Sequence, residues 1–240
     1  MIISNKHKFI FIKTAKTAGS TIETLLRPHI DKTQDICCGS FVYKNGSKIP
    51  PTVPSCNLPN DNRVEAHMSC KDVYDVFFDG IKPKDYFVFT VERNSYDKAI
   101  SHWWWHTHTK RMYKRQRPTK MSLKQHLTNL IESNHSHNHL SCWWRYTMPP
   151  SFSEFNVDKV YQYHEWADMW KDLSERFSIP IDMEQTETIR FKDSKKPFEH
   201  YRESYQLFVF VLVSKGVQST EVPEPIYIYI YIYIYLYVNI

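Results

Sequence analysis

The chain has 240 residues, 42% of them apolar and 24% charged, which excludes a disordered or fibrous polymer and allows one substantial globular core. Its 31 basic and 26 acidic residues leave a formal charge of +5, compatible with an anionic ligand but too mild to identify a nucleic-acid binder, and no nucleic-acid partner is expected. Five cysteines, Cys37, Cys38, Cys56, Cys70 and Cys142, contain no CxxC pair, so neither a zinc site nor a complete disulfide framework is indicated, and reduced thiols are expected.

The opening residues MIISNKHKFIFIK hold only a very short apolar run between lysines. A signal peptide needs about 7–15 apolar residues and a small-residue cleavage site. No secretory signal or membrane anchor is expected from it, and a cytoplasmic location follows as the expectation, with no stable membrane insertion.

Phe9–Thr14 reads as a buried strand and Ser20–Leu26 as the start of a helix with Ile22, Leu25 and Leu26 on one side. Residues 28–62, punctuated by Pro, Gly, Ser and Asn, read as a variable loop or small insertion. Ser69 is placed to cap a helix carrying Val73, Val76 and Phe77. Tyr86–Val91 is a second β-rich apolar run, and the helix after it groups Ala99, Ile100, Trp103 and Trp104. Ser122 and Gln125 form a capping-box signal before Leu123, Leu127, Leu130 and Ile131. Val157–Tyr163 is a third strand candidate, and Trp166, Trp170, Leu173 and Phe177 mark an amphipathic helix. Strands separated by helices predict an α/β domain, a central parallel sheet with helices on its faces.

Ile226–Ile240 is a two-residue Ile-Tyr repeat unlike anything upstream. Repeated TATA read in frame encodes it, so it reads as translated repeat DNA or a frameshifted end, with an edge strand as the alternative. The functional domain is therefore expected to span 1–206, with 207–240 a divergent tail outside it.

The chemistry is concentrated in two stretches. In FIFIKTAKTAGSTIETLL, from Phe9 to Leu26, a strand runs through a short polar loop into a helix. At such a junction backbone N–H groups and the helix dipole point at an anion. Lys16 adds a mobile charge, Gly19 a close backbone approach, and Ser20 and Thr21 hydroxyl donors. The loop is not a Walker A motif, because Lys16 precedes Gly19 instead of following a second glycine. Taken alone it is equally readable as a capped helix after a core strand. In the second stretch, FVFTVERNSYDKAIS, Arg93 ends a strand and Ser101 lies on the following helix. An arginine fork and a hydroxyl suit a second phosphate, although Arg93 could instead pair with Asp97.

Together these stretches resemble the sulfotransferase family, whose donor is 3′-phosphoadenosine 5′-phosphosulfate. The family's loop for the 5′-phosphosulfate, of the type PKTGGTS or PKTASTS, is similar to AKTAGST from Ala15 to Thr21. Its RNPYDRxxS motif for the 3′-phosphate is similar to RNSYDKAIS from Arg93 to Ser101. Ala15 and Ser95 stand where the family has prolines, and neither change removes an anion ligand.

The resemblance implies a three-layer, P-loop-like sulfotransferase fold. Lys16, Thr17, Gly19, Ser20 and Thr21 would hold the 5′ end, and Arg93 and Ser101 the 3′-phosphate. EAHMSCKDVYDVF, Glu65–Phe78, looks like the segment that supplies a catalytic histidine in carbohydrate 2-O-sulfotransferases, and makes His67 the candidate base with Glu65 a weaker alternative. VDKVYQYHEWADMWKDLSERFSIP and PFEHYRESY extend the likeness to about Tyr205. Lys16 would also be catalytic, stabilising the transferring group and the leaving phosphate. The expected partner is a hydroxyl-bearing acceptor, plausibly an anionic carbohydrate, with no metal required.

Other clusters carry competing readings. Lys110, Arg111, Lys114, Arg115, Arg117 and Lys120 form a basic stretch that suits a polyanionic substrate or a solvated loop. His135, His137 and His139 suit a transition metal or an exposed loop, and the latter is preferred because no carboxylate or cysteine set lies near. The tryptophans at 103–105 and 143–144 suit a stacking platform, but neighbours on a helix cannot all face one way. The alternatives to a sulfotransferase are a nucleotide-dependent phosphotransferase and a non-catalytic anion- or glycan-binding remnant.

Overall fold

The computed structural model describes residues 1–39, 42–44, 47–49, 55–93, 95–104, 107, 121–123, 125–126, 157–182 and 184. Seven strands and four α-helices alternate along them. They are β1 (Ile2–Ser4), β2 (Phe9–Ile12), α1 (Gly19–Leu26), β3 (Ile36–Cys37), β4 (Val42–Lys44), β5 (Ser47–Ile49), α2 (Cys70–Phe77), β6 (Phe87–Glu92), α3 (Ser95–Trp104), β7 (Lys159–Gln162) and α4 (Trp166–Phe177).

Five strands form one sheet in the order β3-β1-β2-β6-β7. β2, β6 and β7 run parallel, with Phe9 opposite Phe87, Ile12 opposite Thr90 and Glu92 opposite Gln162. The expected parallel sheet is thus only its β2-β6-β7 part. β1 pairs antiparallel with both β2 and β3, so the whole sheet is mixed. The cause is chain length: four residues separate Ser4 from Phe9, enough for a tight turn but far too few for a parallel crossover. β3 and the β4–β5 hairpin, with Val42 opposite Ile49, both lie in the stretch expected to be a loop.

Side chains alternate across the sheet and create two cores. On one face Phe9, Phe11, Phe89, Val91 and Tyr161 pack with Ile22, Leu25 and Leu26 of α1 and with Met169, Trp170 and Leu173 of α4. On the other, Ile10, Ile12 and Val88 meet Cys70, Val73 and Tyr74 of α2. The domain is therefore layered helix, sheet, helix. Phe89 stands 5.3 Å from Phe11 and 5.9 Å from Phe9, ring centre to ring centre, and Phe177 closes on Phe9 at 5.0 Å. Each such buried ring contributes about 1.5–3 kcal/mol over an exposed one.

The helix signals correspond to local chemistry. Ser69 Oγ accepts the Asp72 N–H at 3.1 Å and caps α2. Replacing Ser69 with Ala is expected to cost about 1 kcal/mol, read as a lower denaturant midpoint with an unchanged slope. Ser122 N–H donates to Gln125 Oε1 at 3.0 Å and Gln125 N–H returns to Ser122 Oγ at 3.2 Å, the reciprocal capping box expected there. Leu127, Leu130 and Ile131, the basic stretch, the three spaced histidines, Trp143 and Trp144, the boundary at 206 and the terminal repeat lie outside the described residues. Trp103 is buried and donates Nε1–H to the Met121 carbonyl at 2.8 Å, whereas Trp104 is half-buried. No described helix is long and apolar enough to cross a membrane.

Candidate active site

Because β2 and β6 are parallel neighbours, the chain leaves both at the same edge of the sheet, through Lys13 and Arg93. The crevice outside the carboxyl ends of parallel strands is where α/β sheets receive ligands. The loop after β2 is held against β6. Thr14 Oγ1 donates to the Val91 carbonyl at 2.6 Å, and Thr17 Oγ1 lies 2.8 Å from Thr14 Oγ1 and 3.1 Å from the Thr14 carbonyl.

Two non-glycine residues in this loop are left-handed, Lys16 with φ 65° and Ala18 with φ 61°. Each costs about 1 kcal/mol or more, and such strain collects at functional turns. The backbone so bent enters α1 through Ala18, whose methyl cannot cap a helix. The Ala18 carbonyl accepts from Thr21 N–H at 2.8 Å and Ile22 N–H at 3.1 Å. The N–H groups of Ala18, Gly19 and Ser20 have no partner among the described residues. Three successive open donors at the positive end of a helix can receive an anion. No side chain caps this helix start.

The loop residues divide by role. Thr17 is fully buried and its hydroxyl is spent on Thr14, so its side chain shapes the loop. Ser20 is half-buried and Thr21 is buried. A Cβ on Gly19 would stand 2.7 Å from Lys13 Cγ and 2.8 Å from Lys13 Cε. Gly19 thus admits the Lys13 stem on its Cα side, while its N–H stays among the open donors.

Arg93 reaches the same loop from β6. Its Nη1 donates to the Lys16 carbonyl at 3.5 Å and its Nε to Asp97 Oδ2 at 3.4 Å, and its guanidinium lies 4.4 Å from the Tyr163 ring centre. A guanidinium has five N–H donors, so three remain for an oxyanion. The Asp97 pairing weighed against anion binding is real, yet it uses only one donor. Asp97 opens α3, and Ser101 stands one turn further along the same helix face, half-buried, with no hydrogen bond to Arg93 among the described residues.

His67 comes from the segment before α2. Its Nδ1 sits 3.0 Å from the Lys13 carbonyl, and a carbonyl can only accept, so Nδ1 carries the proton. That tautomer leaves the Nε2 lone pair open, and Nε2 has no partner among the described residues. Burial, reinforced by the Lys13 charge, lowers the His67 pKa to about 3, so the ring is neutral at pH 7. Glu65 is exposed.

Two groups beside the crevice were not singled out in the sequence. Lys13 is buried with its Nζ 2.6 Å from Glu23 Oε2, while the Met1 ammonium lies 3.3 Å from Glu23 Oε1. Burial pulls the Lys13 pKa down and the Glu23 carboxylate opposes that pull. Tyr163, the face on which Arg93 rests, follows β7 just as Arg93 follows β6. Extending the register from Glu92 opposite Gln162 by one residue pairs them. Comparison of the chain with family models, curated proteins and solved structures gives no match, so the assignment rests on these residues.

Proposed function

We propose that the chain is a sulfotransferase that moves a sulfuryl group from 3′-phosphoadenosine 5′-phosphosulfate to an acceptor hydroxyl, with a carbohydrate as the acceptor class. The observation that carries the reading is the meeting of two anion-ready motifs at the carboxyl ends of β2 and β6. Three open N–H groups at the start of α1 are donors for one oxyanion, and Arg93, bonded to the Lys16 carbonyl, offers donors for another. Two sets of oxyanion donors suit a nucleotide phosphorylated at both its 3′ and 5′ ends.

The donor supplies an activated sulfuryl group whose bond to a phosphate oxygen breaks as the acceptor oxygen bonds to sulfur. In this mechanism the Ala18–Ser20 amides and Lys16 bind the 5′ end and balance the charge that grows on the departing oxygen. Nε2 of His67 takes the acceptor's proton, and the Lys13 carbonyl fixes the ring for it. The negative charge of bound donor raises the His67 pKa from its low resting value, which makes the ring a stronger base when donor is present.

The test is a thermal-shift titration with 3′-phosphoadenosine 5′-phosphate, run beside ATP. At about 100 times its dissociation constant the bisphosphate should add roughly 2.7 kcal/mol, or about 5–10 °C in Tm. Lys16→Ala and Arg93→Ala should each erase most of that shift. Equal stabilisation by ATP would favour a phosphotransferase, binding without turnover over an acceptor panel would leave a binding protein, and no shift in folded protein would reject the donor.

A further inference from the structure

Cys37 ends β3, and the chain returns at Cys56 to lie against it. Cys37 N–H donates to the Cys56 carbonyl at 3.2 Å and Cys56 N–H to the Cys37 carbonyl at 3.1 Å. This reciprocal exchange defines a hydrogen-bonded antiparallel pair, with Cα atoms about 5.5 Å apart. Disulfides span about 4.4–6.8 Å between Cα atoms.

Direction agrees with distance. Directly opposed residues project to the same face of a sheet, and Cys37 belongs to the core cluster of Ile2 and Phe11, with Cys56 packed against that cluster. Cys38, one residue on, belongs to the opposite core with Met1 and Ile3. Cys70 is in that second core too. Of the four described cysteines, Cys37, Cys38 and Cys70 are buried and Cys56 is half-exposed, so an oxidant enters at Cys56.

We propose that Cys37 and Cys56 form a redox-responsive dithiol that closes to a disulfide across the edge of the sheet. With glutathione disulfide as oxidant, the Cys56 thiolate attacks one glutathione sulfur and displaces the other as a thiolate. The Cys37 thiolate then attacks Cys56 Sγ and displaces the second glutathione. One S–S bond is consumed and one formed, two electrons pass from protein to glutathione, and the two cysteine protons end on the two released glutathiones. Burial and the neighbouring Cys56 thiol push the Cys37 thiol up, so the second step is slower and accelerates as pH rises.

The bond ties β3 to the stretch that continues toward His67 and closes the excursion containing β4 and β5. It is independent of the sulfotransferase reading. The test treats the reduced full chain with glutathione disulfide at mildly alkaline pH, blocks residual thiols and maps tryptic peptides without reduction. Trypsin cuts after Lys44 and Lys48, so Cys37 and Cys56 leave on separate peptides unless bonded. The expected product is peptide 33–44 cross-linked to peptide 49–63 with no retained glutathione, and fragmentation between Cys37 and Cys38, which share the first peptide, places the bond on Cys37. Cys37→Ser should instead arrest with glutathione on Cys56. Persistent glutathione on Cys56 in the unsubstituted protein, a bond from Cys56 to Cys38, Cys70 or Cys142, or thiols that stay free would each overturn the proposal. Because mapping of the unsubstituted chain decides it, a poorly folding variant does not.

Discussion

His67→Gln is expected to lower turnover by roughly 10²–10⁴-fold while leaving the bisphosphate-induced thermal shift nearly intact. The glutamine side chain can still bond the Lys13 carbonyl but cannot accept the acceptor's proton, so binding and chemistry separate. The pH profile gives an independent readout. In the free enzyme burial and Lys13 hold the His67 pKa near 3, so kcat/KM should remain level through pH 6.5, where an ordinary histidine would protonate. With donor bound the ring is more basic, and the acid limb of kcat should lie at higher pH than that of kcat/KM.

Stability follows the same shift. The folded pKa lies below the unfolded value near 6.5, so between those values the unfolded chain binds a proton that the native ring refuses. His67 therefore costs nothing above pH 6.5 and destabilises the fold progressively as pH falls toward 3, by on the order of a few kcal/mol. His67→Gln should flatten that acid slope. A variant with full turnover, or an acid limb of kcat/KM at the ordinary histidine position, would remove His67 from the base role.

Much of this arrangement is legible in the chain because the apolar runs at Phe9–Ile12 and Phe87–Glu92 are too short and too rich in Phe, Val and Ile for anything but buried strands. Strand ends then locate Lys16 and Arg93, and both motifs emerge at one sheet edge. β1 was not legible, since Ile2–Ser4 offers three residues and no period to count. Its antiparallel direction comes from the tight turn after it, a tertiary choice that the parallel βα pattern elsewhere does not announce. The packing demand on Gly19 was not legible for a related reason. Its neighbour in space, Lys13, lies six positions back, and a lysine after an apolar strand carries no sign of whether it will snorkel outward or turn inward. Tyr163 had a readable signal: it occupies in the third strand the place that Arg93 holds in the second.

Glu23→Gln should cost about 3–5 kcal/mol, a fall of roughly 6–20 °C in Tm. Glu23 is fully buried, and its two oxygens meet the Lys13 ammonium at 2.6 Å and the Met1 ammonium at 3.3 Å. Glutamine keeps the shape but removes the charge that faces the buried Lys13 ammonium, while burial already disfavours the charged form of the Met1 amine. A buried pair can be nearly neutral against apolar residues of equal volume, yet loss of one partner is costly. Lys13→Met in the Glu23→Gln background should therefore recover part of the loss, a coupling visible in a double-mutant cycle. The damage should also reach the crevice, because the Lys13 stem packs on Gly19 and the Lys13 carbonyl holds His67. Lys13 that relaxes away from Gly19 frees both the first turn of α1 and the imidazole. Bisphosphate affinity and turnover should thus fall in Glu23→Gln even at temperatures where the protein is folded. A melting temperature within about 2 °C of the parent would mean the carboxylate is dispensable, and normal affinity in a destabilised variant would confine its role to the core.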